Sequence, residues 1–177
     1  MRIVGGKYKG RIFRPNKSFK ARPTTDIAKE GLFNILENRY DFSNKDVLDL
    51  FSGTGSMGYE FLSRGSERVT LVENQFNHYK FILDVIKTLG VENVRVFKAD
   101  VFKYVKKSPD TYNIIFADPP FDLSNFMTVP DAILDADILA PDGLLIVEHA
   151  KEVTFVTHPN FKEVRKYGKV NFSFFEK

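Results

Sequence analysis

The sequence predicts an α/β fold. It is a seven-stranded, mostly parallel sheet with helices on both faces and a C-terminal antiparallel hairpin, preceded by a small N-terminal β-hairpin and helix. Three observations carry this. From Asp46 onward, apolar runs alternate with amphipathic segments, as they do in repeated βα units. Runs such as "DVLDLF" and "GLLIVEH" read as strands buried on both faces. The closing "FKEVRKYGKVNFSFFEK" holds two strand-like runs around Tyr167–Gly168–Lys169, a turn short enough only for an antiparallel pair.

Taken in order, "RIVGG" and "GRIF" form the short hairpin, and a loop runs from Pro15 to Pro23. "TTDIAKEGLFNILENRY" is helical, with Leu32, Ile35 and Leu36 on one stripe. Thr25 or Asp26 caps it, and Asp26 and Glu30 suit the positive end of its dipole. "DVLDLF" is the first strand of the body, and "SMGYEFLSRG" is a helix stopped by Gly65. "RVTLVE" is a strand, "FNHYKFILDVIKTLG" an amphipathic helix, "NVRVFKAD" a strand and "VFKYVKKS" a short helix. "YNIIFAD" is a strand, and "VPDAILDADILAP" is helical with Pro130 in its first turn. The boundary suggested by composition falls between residues 1–45, a basic hairpin-and-helix unit, and residues 46–177, the α/β body.

The 177 residues suit a single sizeable core, and no apolar run approaches the ~20 residues that span a bilayer. The start of the chain carries no signal-peptide core, and there is no Cys to form disulfides or a thiolate metal site. A cytoplasmic location, without membrane association, is the expectation. Charge is uneven. Residues 1–25 hold eight of the 26 Lys/Arg and no acid, while the other 18 face all 23 acids and leave that part at −5. Clustered cations gain affinity for polyanions by releasing counterions from phosphates. Lys7, Lys9, Arg11, Arg14 and Arg22 are therefore the candidate nucleic-acid contacts, against the plainer reading of a solvated basic arm.

"DLFSGTGSMG" sets Gly53, Gly55 and Gly58 in a G-x-G-x-x-G pattern between a strand and a helix, where a backbone can approach a ligand closely. Glu73 ends the second strand, positioned to accept ribose hydroxyls, and Asp100 ends the third. The pattern alone fits a nicotinamide dehydrogenase or a methyltransferase using an adenosine cofactor. Asp49 favours the second, because a carboxylate repels a pyrophosphate and suits the sulfonium and ammonium of S-adenosylmethionine. The short chain also leaves little room for a dehydrogenase's substrate region.

"FADPPFD" ends the fourth strand on the same edge of the sheet. Its prolines end the strand, but that does not explain the acid before them or the aromatic after them. An exocyclic amine is a poor nucleophile, and two acceptors on its two hydrogens orient it and stabilise the charge it develops. The Asp118 carboxylate and the Pro119 carbonyl supply such acceptors, Pro120 keeps the turn rigid, and Phe121 offers a face to a base. His78, His149 and His158 lack metal-ligand spacing, so no metal site is expected.

At these residues the chain resembles the bacterial 16S ribosomal RNA guanine-N2 methyltransferases. The likeness runs through "RIVGGKYKGRIFRP", "RPTTDIAKEGLFNIL", "DLFSGTGSMGYEFLSRG", "LVEN" and "ADPPF". It implies a Rossmann-like class I methyltransferase sheet, S-adenosylmethionine as donor, and a guanine of 16S ribosomal RNA, free or in the small subunit, as target. It implies that Asp49, Phe51, Gly53, Gly55 and Gly58 border the methionine end, that Glu73 holds the ribose, and that Asp100 and Val101 lie near the adenine. Asp118, Pro119, Pro120 and Phe121 would hold the amine, while Arg22, Pro23 and Thr24 line the entrance or the RNA path. A DNA adenine-N6 or cytosine-N4 methyltransferase and an inactive RNA-binding relative are the alternatives. A monomer is the default for a small enzyme docking on a large RNA.

Overall fold

The computed structural model describes residues 1–15, 19 and 24–177. Its strands are β1 (Asp46–Leu50), β2 (Arg68–Glu73), β3 (Val94–Lys98), β4 (Tyr112–Ala117), β5 (Leu139–Ala150), β6 (Phe161–Tyr167) and β7 (Val170–Glu176). They form one sheet in the order β3-β2-β1-β4-β5-β7-β6. The first five are mutually parallel, and β7 is antiparallel to both β5 and β6. The chain winds outward from β1 to β3, then returns to place β4 on the other side of β1. That reversal opens a crevice at the carboxyl ends of β1 and β4, where sheets of this kind bind ligands.

Among the described residues five α-helices cover the sheet: α1 (Asp26–Arg39), α2 (Ser56–Ser63), α3 (Phe76–Leu89), α4 (Val101–Lys107) and α5 (Val129–Leu134). Alternate strand residues face opposite ways, and the two cores follow. On one face Val47, Leu71, Ile114, Phe116 and Ile146 pack beneath α1, α2 and α3 through Leu32, Phe33, Phe61 and Ile82. On the other, Leu48, Leu50, Val72, Ile115 and Val147 pack beneath α4 and α5 through Val105, Ile133 and Leu134. Phe33 meets Phe61 and Phe42 edge-on, with ring centroids 4.7 and 6.2 Å away. Emptying that position would cost about 3–5 kcal/mol. Thr25 is the α1 cap, its hydroxyl accepting the Ala28 N–H at 3.2 Å.

One segment differs from its sequence reading. The expected helix through Pro141 stops at Leu134. Asp137 turns left-handed (φ 54°), and Leu139 to Asp142 join an irregular start of β5. The Ile138 carbonyl accepts the Tyr112 N–H at 2.8 Å, so sheet pairing outweighs the helix propensity of "DADIL". The N-terminal hairpin is present: Arg2 bridges Ile12, the Ile3 N–H donates to the Arg11 carbonyl at 3.0 Å, and the Phe13 N–H donates to the Met1 carbonyl at 3.0 Å. Amides of the loop between its paired residues bond outside the hairpin: Val4 and Gly5 donate to the Glu60 carboxylate, and Lys7 donates to the Ser63 carbonyl. The hairpin is thereby tied to α2. Among the described residues no helix is long and apolar enough to cross a membrane.

Candidate functional site

The glycine loop leaves β1 through a run of left-handed residues, Phe51 (φ 56°), Gly53 (φ 55°) and Gly55 (φ 79°). A non-glycine at positive φ is strained, and a network around Phe51 holds it. The Ser52 hydroxyl donates to the Asp49 carbonyl at 2.6 Å and accepts the Val72 N–H at 3.1 Å. The Gly55 N–H closes onto the Ser52 carbonyl at 2.7 Å. At the start of α2, Gly58 donates its N–H to Asp49 Oδ2 at 2.9 Å. A Cβ on Gly58 would lie 2.8 Å from Leu71 Cδ2 and 3.2 Å from that carboxylate oxygen, so any larger residue would have to displace Leu71.

Glu73 latches the loop from the next strand. Its Oε2 accepts the Gly53 N–H at 2.7 Å and its Oε1 the Gln75 N–H at 2.6 Å. Each oxygen keeps a second lone pair for a ligand hydroxyl. Asp100 caps α4 by accepting the Lys103 N–H at 3.0 Å, with Val101 buried beside it as the first helical residue.

Asp118 follows β4 directly, and its N–H donates to the Leu50 carbonyl at 3.3 Å, across the crevice from the loop. Asp49, Asp118, Phe51, Gly53, Phe116 and Thr24 line one cavity. The Pro120 carbonyl is committed to a turn with the Leu123 N–H at 2.9 Å. No backbone N–H takes the Pro119 carbonyl among the described residues. Phe121 is 58% exposed, an uncommon position for a Phe and a free face beside the cavity's acid.

The register explains the electrostatics. Asp49 is level with Leu71, Phe116 and Ile146, so Glu73, Asp118 and Glu148, each two residues further on, fall on the same face. Four neighbouring strands thus carry a carboxyl on one face near their ends, with Asp49 two residues short of the level of the other three. Among the described residues no ion pair involves Asp49, Asp118 or Glu148. Burial pushes the Asp49 carboxyl up to about 8, with Glu73 and Glu148 adding to the rise and the Gly58 N–H opposing it. Burial, then the charges of Glu148 and Asp49, hold Asp118 well above the usual carboxylate range. Burial takes Glu148 to about 7 against the pull of the Thr24 hydroxyl, which donates to its Oε2 at 2.7 Å. A cluster of acids, three of them buried and none paired with Lys or Arg among the described residues, is a poor host for a phosphate and a good one for a cation. That donor set fits the sulfonium and ammonium end of S-adenosylmethionine. No group of three or more metal-ligating side chains occurs among the described residues.

Lys7, Lys9, Arg11 and Arg14 are exposed, and none is in an ion pair within the described residues. The Lys7 ammonium and the Arg11 guanidinium lie 5.3 and 5.5 Å from the Tyr8 ring centroid. Arg22 and Pro23 lie outside the described residues. His149 turns away from the cavity and bonds Ser173 Oγ through Nε2 at 2.8 Å. Its neighbour Glu148 is the site acid that sequence reasoning missed. The available signal was the repeated acid at successive strand ends, which "IVEH" continues.

The sequence profile of the family described as Conserved hypothetical protein 95 matches residues 1–176. The Ribosomal RNA small subunit methyltransferase D of Buchnera aphidicola subsp. Baizongia pistaciae is 30% identical over 179 residues, covering 99% of this chain and 91% of that one. Its namesake in Escherichia coli is 32% identical over 159 residues, covering 90% and 79%. The solved structure of a hypothetical protein from Thermus thermophilus matches with a TM-score of 0.88 at 26% identity, covering 100% of this chain and 99% of that one. The sheet, its order and its helices are those of the Rossmann-like class I methyltransferases.

Proposed function

The chain belongs to the family described as Conserved hypothetical protein 95, and from that premise we propose that it methylates the exocyclic N2 amine of a guanine in 16S ribosomal RNA, with S-adenosylmethionine as donor. One observation carries the reading: Asp118, followed by Pro119, opens into the same cavity as Asp49 and the glycine loop. An amine held at the first would stand beside a cation held at the second. The names of the relatives support ribosomal RNA as the substrate class. The exposed cations of residues 1–45, taken as an RNA-facing unit, support the same class.

When bound, S-adenosylmethionine supplies an electrophilic methyl group on a sulfonium. Asp49 and the loop backbone bind the methionine end, and the remaining lone pairs of Glu73 accept the ribose hydroxyls. Asp100 and Val101 border the adenine. The Asp118 carboxylate and the Pro119 carbonyl accept one amine hydrogen each, which turns the nitrogen lone pair toward the donor. Proline fixes φ and brings no N–H that would compete for the carbonyl. Phe121 stacks on the guanine once it leaves its helix. Lys7, Lys9, Arg11, Arg14 and Arg22 carry the RNA backbone.

The test offers labelled donor to undermethylated ribosomal RNA, free and in assembled small subunits, and digests the product to nucleosides. Label in N2-methylguanosine is expected. Label in N6-methyladenosine, or only in DNA controls, overturns the assignment.

A further inference from the structure

We propose that Glu148 and Asp118 work as one acid pair, in which Glu148 positions Asp118 and takes up the proton that the methylated amine hands to it. The inference rests on the amine-methylation reading above. Ala117 is paired with Val147, so Asp118 and Glu148 are the next residues on neighbouring parallel strands. Strands in a sheet lie ~4.8 Å apart, and two carboxyls at such positions share one face. Glu148 is 3% exposed, and its only side-chain hydrogen bond among the described residues is with Thr24.

The reaction must dispose of a proton. The amine nitrogen takes the methyl carbon, the sulfur keeps the bonding electron pair, and the positive charge passes to nitrogen. The nitrogen then gives one proton to Asp118 and becomes a neutral methylamine. The site loses a sulfonium charge and gains a proton, so its charge is conserved only if a carboxylate accepts that proton. Asp118 alone would be left neutral and facing the product. A second acid beside it shares that proton, and the proton passes to bulk water as the product and the spent donor leave, which restores the acceptor for the next amine.

The surroundings select Glu148. Asp49, on β1, is bonded to the Gly58 N–H, and Glu73, on β2, to the Gly53 and Gln75 N–H groups with His78 of α3 at 3.7 Å. Tyr59 of α2 has a buried, unpartnered hydroxyl and faces Asp49. Lys29 of α1 turns its ammonium to the Arg2 carbonyl and Ser56 Oγ, at 2.5 and 3.1 Å. His149 is bonded to Ser173. Glu148 alone has a single hydroxyl partner and Asp118 as its neighbour. Thr24 directly precedes Thr25, the α1 cap, in the unit of residues 1–45 that faces RNA in the proposed reading, so that hydroxyl couples the arm to the acid pair.

The test follows the Glu148 carboxyl by carbon NMR across the acid and neutral range in the cofactor-free protein. Two interacting acids titrate in two shared steps. Glu148 should do so in the wild type and in one step in Asp118→Asn, while Thr24→Val should move its titration to higher pH. In methyl transfer, Glu148→Gln should lower kcat about 10- to 100-fold with the KM for the donor unchanged, and should alter the acid limb of the pH profile. Glu148→Asp should recover part of the rate. Identical Glu148 titration in the wild type and Asp118→Asn overturns the pair. Wild-type kcat and pH profile in Glu148→Gln overturn the proton role. If the wild type methylates no guanine, only the preceding reading fails, because the titration needs neither donor nor RNA.

Discussion

Glu60 accepts the Val4 backbone N–H through both carboxylate oxygens, at 3.0 and 2.9 Å, although 56 residues separate the two in sequence. The same carboxylate takes the Gly5 N–H at 2.9 Å and lies 3.5 Å from the Arg64 guanidinium and 4.0 Å from the Lys29 ammonium. This fully buried acid is where the basic arm is fastened to the helix that follows the glycine loop. Glu60→Ala would leave two N–H groups and two cations short of their partner. Removing one side of such a buried cluster costs about 3–5 kcal/mol. Urea denaturation should show that loss, and hydrogen exchange should show Val4 and Gly5 unprotected. Glu60→Gln keeps an acceptor and should lose less. Protected Val4 and Gly5 amides in Glu60→Ala would show that the arm is held by other contacts.

Asp118→Asn replaces the carboxyl that the proposed reading sets beside the amine with an amide that cannot ionise, and leaves the glycine loop untouched. The expected result is a fall in kcat of about 10²–10³, in line with the loss of one stabilising group at the reacting atom. Affinity for the donor, measured by calorimetry, should change little, because the proposed reading gives that end to Asp49 and Glu73. Turnover near wild type would sink the amine-holding role.

Asp49 and Glu148 make the ligand-free fold sensitive to pH. Burial, the first cause for both, raises them from ordinary values of 3.8 and 4.5 to about 8 and about 7. The folded state therefore keeps protons that the unfolded chain has already released. Their contribution to stability is complete below the unfolded values, near pH 4, and is lost as pH rises through 7 and 8. Each group adds a slope of at most about 1.4 kcal/mol per pH unit. Asp49→Asn cannot ionise, so it should gain stability relative to wild type as pH climbs over that window. Urea midpoints at several pH values read the gap directly, and a gap independent of pH would contradict the buried, unpaired state of Asp49. Donor binding should run the other way, tightening with pH, because a cation needs the charged carboxylate.

The parallel sheet was legible because strands buried on both faces leave apolar runs, and because Gly65 and Gly90 mark where helices stop. The glycine loop and Asp118 were legible because their chemistry is local to a few adjacent residues. Glu148 and Glu60 were not. An acid at the end of "LLIV" reads as a solvated strand terminus until the register sets it beside Asp118. Glu60, between Tyr59 and Phe61, reads as an ordinary helical acid until the arm folds over it. The end of α5 was misjudged for a similar reason, since "DADIL" has helical character and only pairing with Tyr112 makes it strand. Long-range partners decided all three cases.

The arm offers the clearest test of the RNA assignment. Lys7, Lys9, Arg11 and Arg14 are exposed, no acid precedes Asp26, and none of the four pairs with an acid among the described residues. If they lie on phosphates, each displaces condensed counterions, and the affinity falls with salt by about 0.7 to 0.9 log unit per contact for each log unit of salt. Reversing all four to Glu should weaken binding to ribosomal RNA and flatten the salt dependence by up to about 3 units. The substitutions lie away from the Val4 and Gly5 amides bonded to Glu60, so thermal stability should be nearly unchanged. Donor affinity should also hold, since none of the four lines the cavity with Asp49. A salt slope equal to that of the wild type would mean that the arm does not touch phosphate and that the RNA runs over another face.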